Sequence, residues 1–271
     1  MADESVDTVP KNWNDFIEQH PAFPEMMAKW LTLMERLFEV TPVNEIGDLG
    51  WLILSFMKAS VSDLNDILTL SHANSQSGAQ KILRSVYERT VTMKYLAENP
   101  AEVEKFISYQ RIDWQQILLE CEVKLRKRLE EPFRTRWEQA AADARKEFKG
   151  EPCEICGLRK QISWTPKSVK ELAGLTGLEH MHFQGFLEPS KIMHPTYWGT
   201  MQVLRKGPPL YNVLNTAHEL LVHIVLIHRR FFATNRQPTP MMIAVTEDYL
   251  KIWVFAETSF GGLLINVRPQ G

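Results

Sequence analysis

Cysteine is scarce in this chain: three in 271 residues, Cys121, Cys153 and Cys156. An odd count cannot make a fully paired disulfide framework, and a reducing cytoplasm is the expected compartment. Glycine is scarce too, at 13, and strand-type alternation is confined to one stretch near the C-terminus, which argues against a β-rich fold. Charge of one sign is missing. The 31 basic and 33 acidic residues leave a net charge of −2, so no global field draws the protein to nucleic acid or to an anionic membrane. Long apolar runs are missing as well. WLILSFM meets Lys58, and LLVHIVLI contains His223 and ends at His228-Arg229-Arg230. Both fall short of the roughly 20 apolar residues of a membrane span. The opening MADESVDTVPKNW is acidic and polar, unlike a secretory signal or transit peptide. A soluble protein with no membrane partner is the expectation. No glycines stand at G-x-x-x-x-G-K or G-x-G-x-x-G spacing, and no cofactor is implied.

What is present is helical periodicity. Met27, Trp30, Leu31, Met34, Leu37 and Phe38 form one stripe after Pro24, closed by Thr41-Pro42. A second helix is predicted over 45–71, with Leu49, Leu52, Ile53, Phe56, Met57, Val61, Leu64 and Leu68 on one face. A third runs to about 97, carrying Ala79, Ile82, Leu83, Val86, Thr90 and Met93. A fourth, over about 101–131, places Phe106, Trp114, Ile117, Leu118, Cys121, Leu125 and Leu129 near heptad spacing; a charged continuation follows Pro132 to about 148. A short helix is expected over 167–173, and a short or kinked one over 178–194 because of Gly185 and Pro189. The pattern over 210–235 is a strong helix, and 241–257 reads as helix with some strand character. The reading is all-α: an antiparallel multi-helix bundle in a single domain over 11–257, with an irregular insert at 149–166. A disordered lead-in, 1–10, and a tail, 258–271, flank it.

Four constellations could carry chemistry. Arg84 and Glu88 stand one helical turn apart in KILRSVYERTVTMKYL. The plain interpretation is a surface ion pair of a few tenths of a kcal/mol. However, Arg before Glu is the weaker orientation, and Tyr87, Val91 and Tyr95 share the region, which suggests partial burial. A buried pair needs further polar groups from another helix or from a ligand. Ser190 and His194, also four apart, lie in EPSKIMHPTYWG. Pro195 ends a helix at His194, so the imidazole serves there as a C-terminal cap, or as a general base or phosphate contact beside Arg84 and Glu88. No nucleophile elbow surrounds Ser190. Cys153-Glu-Ile-Cys156-Gly157 has the turn shape of a zinc knuckle without a second cysteine pair. His180 and His182 could complete a zinc set only if their turn is extended, since residues two apart on a helix face away from each other. Finally, His218, His223 and His228 step by five, about 140° each, and so share no stripe. They read as core or boundary histidines.

KILRSVYERTVTMKYLAENP, FISYQRIDW, WTPKSVKELAGLTGL and FLEPSKIMHPT together resemble an uncharacterised bacterial helical family, one of the domains of unknown function. The resemblance covers roughly residues 50–230. Its motifs fall at Arg84 and Glu88, at Trp164 with Lys167 to Ala173, and at Ser190 and His194. Aromatic residues are usual before that serine, where this chain has His180, Met181, His182 and Phe183, and the Cys-x-x-Cys insert is foreign to the family. The resemblance implies no activity. In class alone the chain also resembles HEPN-type helical ribonucleases of toxin and phage-defence systems, which are often dimeric. Their Arg-to-His spacing on one helix is absent here. Three readings follow: a ligand- or partner-binding helical module centred on Arg84, Glu88, Ser190 and His194; a metal-independent ribonuclease using the same groups on RNA; and a zinc-stabilised interaction module.

Overall fold

The computed structural model describes residues 10, 12–41, 46–125, 130–152, 159–161, 163–193, 210–235, 247, 248, 250–252 and 254. The expected lead-in and tail lie outside the described residues, Pro10 excepted, as does most of 241–257. The described residues are overwhelmingly helical, and the fold is all-α. They group into two compact units: residues 1–97 with 172–271, and residues 98–171.

The larger unit begins with α1, Trp13–Gln19, a helix whose start is fixed by Asn12, whose side chain accepts from the Asp15 N–H at 3.0 Å. This is ordinary N-capping. Helix α2, Phe23–Val40, buries Met26, Met27, Trp30, Leu33, Met34 and Leu37. Helix α3, Gly47–His72, is joined to α4, Gln76–Glu98, by a turn in which Asn74 adopts the left-handed conformation at φ 58°. Asparagine tolerates that region better than other side chains with a Cβ. The Asn74 side chain accepts from the Trp13 N–H at 3.0 Å, which ties α1 to this turn. Further along, Arg89 of α4 donates to Ser60 at 3.1 Å and to Asp63 at 3.0 Å on α3. Helix α4 is buried on two sides. Ala79, Leu83, Val86, Thr90 and Met93 form the anticipated stripe, and Gln80, Tyr87, Val91 and Tyr95 are buried as well.

The smaller unit is a helical hairpin, α5 (Val103–Leu125) and α6 (Glu131–Glu147), followed by a two-stranded antiparallel ribbon, β1 (Lys149–Pro152) and β2 (Arg159–Gln161). The ribbon occupies the insert that the sequence left irregular; residues 153–158 lie outside the described residues. Trp164 packs edge-on to Phe106 and Phe148 edge-on to Tyr109, with ring centroids 5.1 and 5.2 Å apart. The heptad expected on α5 is only partly a core. Phe106 is buried, but Trp114, Ile117 and Cys121 are exposed. A hairpin buries one stripe per helix, and beyond Ile112 the described residues of α5 show no further buried position.

A short helix, α7 (Val169–Leu175), opens with a reciprocal cap. Glu171 accepts from the Ser168 N–H and hydroxyl at 2.6 and 2.7 Å, and the Ser168 hydroxyl accepts from the Glu171 N–H at 3.3 Å. After it come a 3₁₀ turn (Glu179–Met181), a five-residue π-turn (Phe183–Leu187) and α8 (Glu188–Met193). The last long helix, α9 (Leu210–Asn235), packs on α1, α2 and α3.

Helix α9 corrects one expectation. Over Leu210–Phe232 it is long and apolar enough to cross a membrane, yet 72% of its most apolar window is buried inside the protein. That marks a core helix. Ten of its residues, among them Leu214, Ala217, Leu221 and Ile224, are apolar and nearly inaccessible to water. Each large aliphatic side chain so buried contributes about 1.5–3 kcal/mol. His218 and His228 share that interior, and burial lowers both from 6.5 to about 3. The Thr41 hydroxyl already donates to the Leu37 carbonyl, so His228 Nε2, 3.1 Å away, donates to Thr41 and carries the proton of a neutral ring.

A pH dependence follows. Between pH 6.5 and 3 the unfolded chain takes up protons that the folded interior refuses, so stability falls as pH falls. At pH 5.5 each of these two histidines is expected to cost on the order of 1 kcal/mol relative to pH 7.5, about 2–3 kcal/mol together. Urea unfolding of chelator-treated protein at the two pH values measures this. Equal stability at both would mean that the rings are not buried and neutral.

Candidate functional site

The candidate site is built where α4 meets the segment 178–193 within the larger unit. Helix α7 ends in a left-handed Gly177 (φ 72°), with the Leu178 N–H donating to the Ala173 carbonyl at 2.8 Å. This closes the helix in the manner of a Schellman turn and aims the Leu178 carbonyl at α4, where it accepts from the Tyr87 hydroxyl at 3.2 Å. The next residues coil unevenly. Pro189 has no N–H to give, so a regular α ladder cannot pass through it, and the chain takes a π-turn immediately before α8. π-turns of this kind recur at functional sites.

Gly185 sits in that turn because Tyr87 leaves no room for anything larger. A Cβ at position 185 would stand 2.6 Å from Tyr87 Cδ2 and 2.8 Å from Cγ. His182 and Phe186 lie on either side of the contact, their rings stacked at 5.1 Å and 17°, and both rings meet Tyr87. Tyr87 is fully buried, and burial, with Glu179 adding to it, holds its phenol well above the usual range. It is a hydrogen-bonding strut, not a proton donor at neutral pH.

Beside this contact stands Arg84. Its Nε and Nη2 each lie 3.0 Å from Glu88 Oε1, its guanidinium covers the Phe186 ring at 4.6 Å, and Nη1 points at Met193 Sδ, 3.8 Å away. Arg84 is 22% exposed and Glu88 39%, so the pair is half-open. The Ser190 hydroxyl donates to the Phe186 carbonyl within its own helix. His194 lies outside the described residues, as do Cys153 and Cys156. Glu188 bonds Gln80 of α4, and burial raises its pKa against that bond and the charge of Lys191.

His180 and His182 diverge. His182 is buried against Tyr87, whereas His180 Nε2 meets Glu219 Oε1 of α9 at 2.5 Å. Residues two apart on a helical turn face different ways. The described residues that could hold a metal are His180, Glu219 and His223, whose donor atoms all lie within 4.8 Å of one another. Sequence reasoning missed Glu219, although Glu219-x-x-x-His223 is a same-face spacing on a helix. It also missed Phe186 and Met193. Gly185 itself was visible in the sequence, as a residue that weakens a helical pattern, but nothing local tied it to Tyr87.

What these features define is an α-helical protein with a half-open Arg–Glu pair set on an aromatic seam, and no recognised catalytic constellation among the described residues. The chain belongs to a family of unknown function, DUF5677, whose sequence model matches residues 50–208. That span takes in the Arg84–Glu88 helix, the Trp164 and Ser168-x-x-Glu171 cap and the Ser190 segment. No curated protein and no solved structure matches the chain.

The Tyr87–Gly185 contact can be tested directly. Gly185→Ala is expected to destabilise by about 1–3 kcal/mol through overpacking, and Tyr87→Phe by about 1 kcal/mol through the lost hydrogen bond. In a double-mutant cycle on urea unfolding, Gly185→Ala should cost much less when Tyr87 is Ala. Additive costs would show that the two do not touch.

Proposed function

We propose that this chain is a helical binding module whose Arg84 face receives a partner carrying a carboxylate or phosphate next to an apolar group. The observation that carries the reading is the state of the Arg84 guanidinium. Glu88 and the Phe186 ring fix its plane, while Nη1 faces the thioether of Met193, a weak acceptor. A guanidinium held in place in this way loses little entropy on binding an oxyanion, and a charge-assisted bond to oxygen is much stronger than one to sulfur.

The neighbouring surface supports an apolar complement. Phe183, Leu187 and Met193 are exposed at 52%, 41% and 47%, all within one short segment, and Lys191 lies over the Phe183 ring at 5.9 Å. Large apolar side chains gathered this closely next to cations mark interaction sites more often than bare surface does. Cys121 is a free, exposed thiol, which supports a reducing cytoplasm as the setting.

The test uses chelator-treated protein with inorganic phosphate and citrate as probes. Arg84→Ala is expected to cost about 1 kcal/mol or less in denaturant unfolding, as befits a half-exposed pair. The rise in melting temperature that the anions give the native protein should vanish in Arg84→Ala. Arg84→Lys, which keeps the charge but not the planar fork, should retain part of it. If Arg84→Ala instead costs about 3 kcal/mol or more and leaves the anion response intact, Arg84 is a structural group and the proposal fails.

A further inference from the structure

We propose that His180, Glu219 and His223 form a divalent-metal site suited to zinc, with one coordination position left for water or an anionic ligand. The site is separate from the Arg84 face and does not depend on it. Glu219 and His223 stand one turn apart on α9, the buried helix of the larger unit, so their relative placement is rigid. His180 comes from the 3₁₀ turn Glu179–Met181 and is 40% exposed, so it has room to adjust. The three donor atoms lie within 4.8 Å of one another. Ligands at about 2.1 Å on a tetrahedral ion stand roughly 3.4 Å apart, within reach of small side-chain rotations from this arrangement.

The His180–Glu219 contact alone has a simpler explanation, an ion pair at the surface. His223 is what that explanation leaves out. The residue is 6% exposed, and its Nε2 makes no hydrogen bond. His218 Nε2 and His228 Nδ1 on the same helix are also unpaired, but His223 alone of the three has a carboxylate and a second imidazole within 4.8 Å among the described residues. A buried polar nitrogen without a partner calls for a reason. A metal held jointly with Glu219 and His180 supplies one. The donor set, two imidazoles and one carboxylate, suits zinc, and three protein ligands leave the fourth position open. Lys94 acts electrostatically on His223 from nearby, while its ammonium donates to the Thr176 carbonyl. Its charge opposes a bare dication. The Glu219 carboxylate offsets part of that charge, and an anion in the open position completes the balance.

The experiment takes full-length protein stripped with chelator and titrates it with zinc chloride by calorimetry, with melting temperature followed in parallel. Three variants accompany it: Glu219→Gln, His180→Ala, and Cys153→Ser with Cys156→Ser. His223 is left alone because a buried ring can be needed for folding. About one zinc per chain is expected for the native protein and for the double cysteine variant, with a rise in melting temperature on binding. Glu219→Gln and His180→Ala, shown by circular dichroism to be folded, should each bind at least about tenfold more weakly. Cobalt substitution should give a spectrum without a thiolate charge-transfer band. Absence of stoichiometric zinc in the native protein, native affinity in both single variants, or zinc lost only with the cysteines would overturn the proposal.

Discussion

The approach of Tyr87 to the backbone of Gly185 is the contact on which the candidate site rests. It lets the segment 178–193 lie flat on α4, and only then does the Tyr87 hydroxyl reach the Leu178 carbonyl and the Arg84 guanidinium reach the Phe186 ring. A side chain at position 185 would push the π-turn outward by several tenths of an ångström or more. Cation–π stacking and a hydrogen bond of ordinary strength, each worth about 1 kcal/mol, are too weak to hold the segment against such a push. The glycine therefore has a steric task, and the polar contacts are its consequence.

The polar groups of the larger unit fall into two kinds. Arg89 with Ser60 and Asp63, and Ser190 with Phe186, are satisfied inside the protein and contribute to packing. Arg84 and His223 are different. The first has a donor edge turned to sulfur; the second, like His218 and His228, has a buried nitrogen with no hydrogen bond, but it alone of the three stands beside a carboxylate and another imidazole among the described residues. Proteins pair their buried polar groups almost without exception, because an unmade bond costs about 1–3 kcal/mol. Incompletely satisfied groups are thus the places where a ligand has something to gain, and both proposals start from them.

Two of the other stretches singled out in the sequence have structural duties in this chain. Trp164 packs into the Phe106 edge, and Ser168 and Glu171 make a reciprocal helix cap. Ser190 turns its hydroxyl inward to the chain's own backbone.

The long helices were legible because a 3.6-residue period is a local property; α2 and α4 bury most of the stripe their spacing announces, whereas on α3 Ile53, Met57, Val61 and Leu64 are buried but Leu49, Leu52, Phe56 and Leu68 only partly so. Gly185 and Pro189 likewise announced an uneven helix. Helix α1 was not legible: seven residues capped by Asn12 carry too few turns to show a period. The outer half of α5 misled, since heptad spacing states which residues could be covered and not how much of each a partner helix covers; α6 brings Trp137 to Trp114, yet Trp114 and Ile117 stay largely exposed. The meeting of Arg84 with Met193, and of His180 with Glu219 and His223, could not be read at all. Those groups lie 109 and 39 or more positions apart in the chain. By itself the sequence determined where helices begin, end and bend, because caps, prolines and periodicity act within a few residues. Which polar groups face one another was decided only by tertiary packing, because helices can be docked in many registers and steric fit, as at Gly185, selects among them.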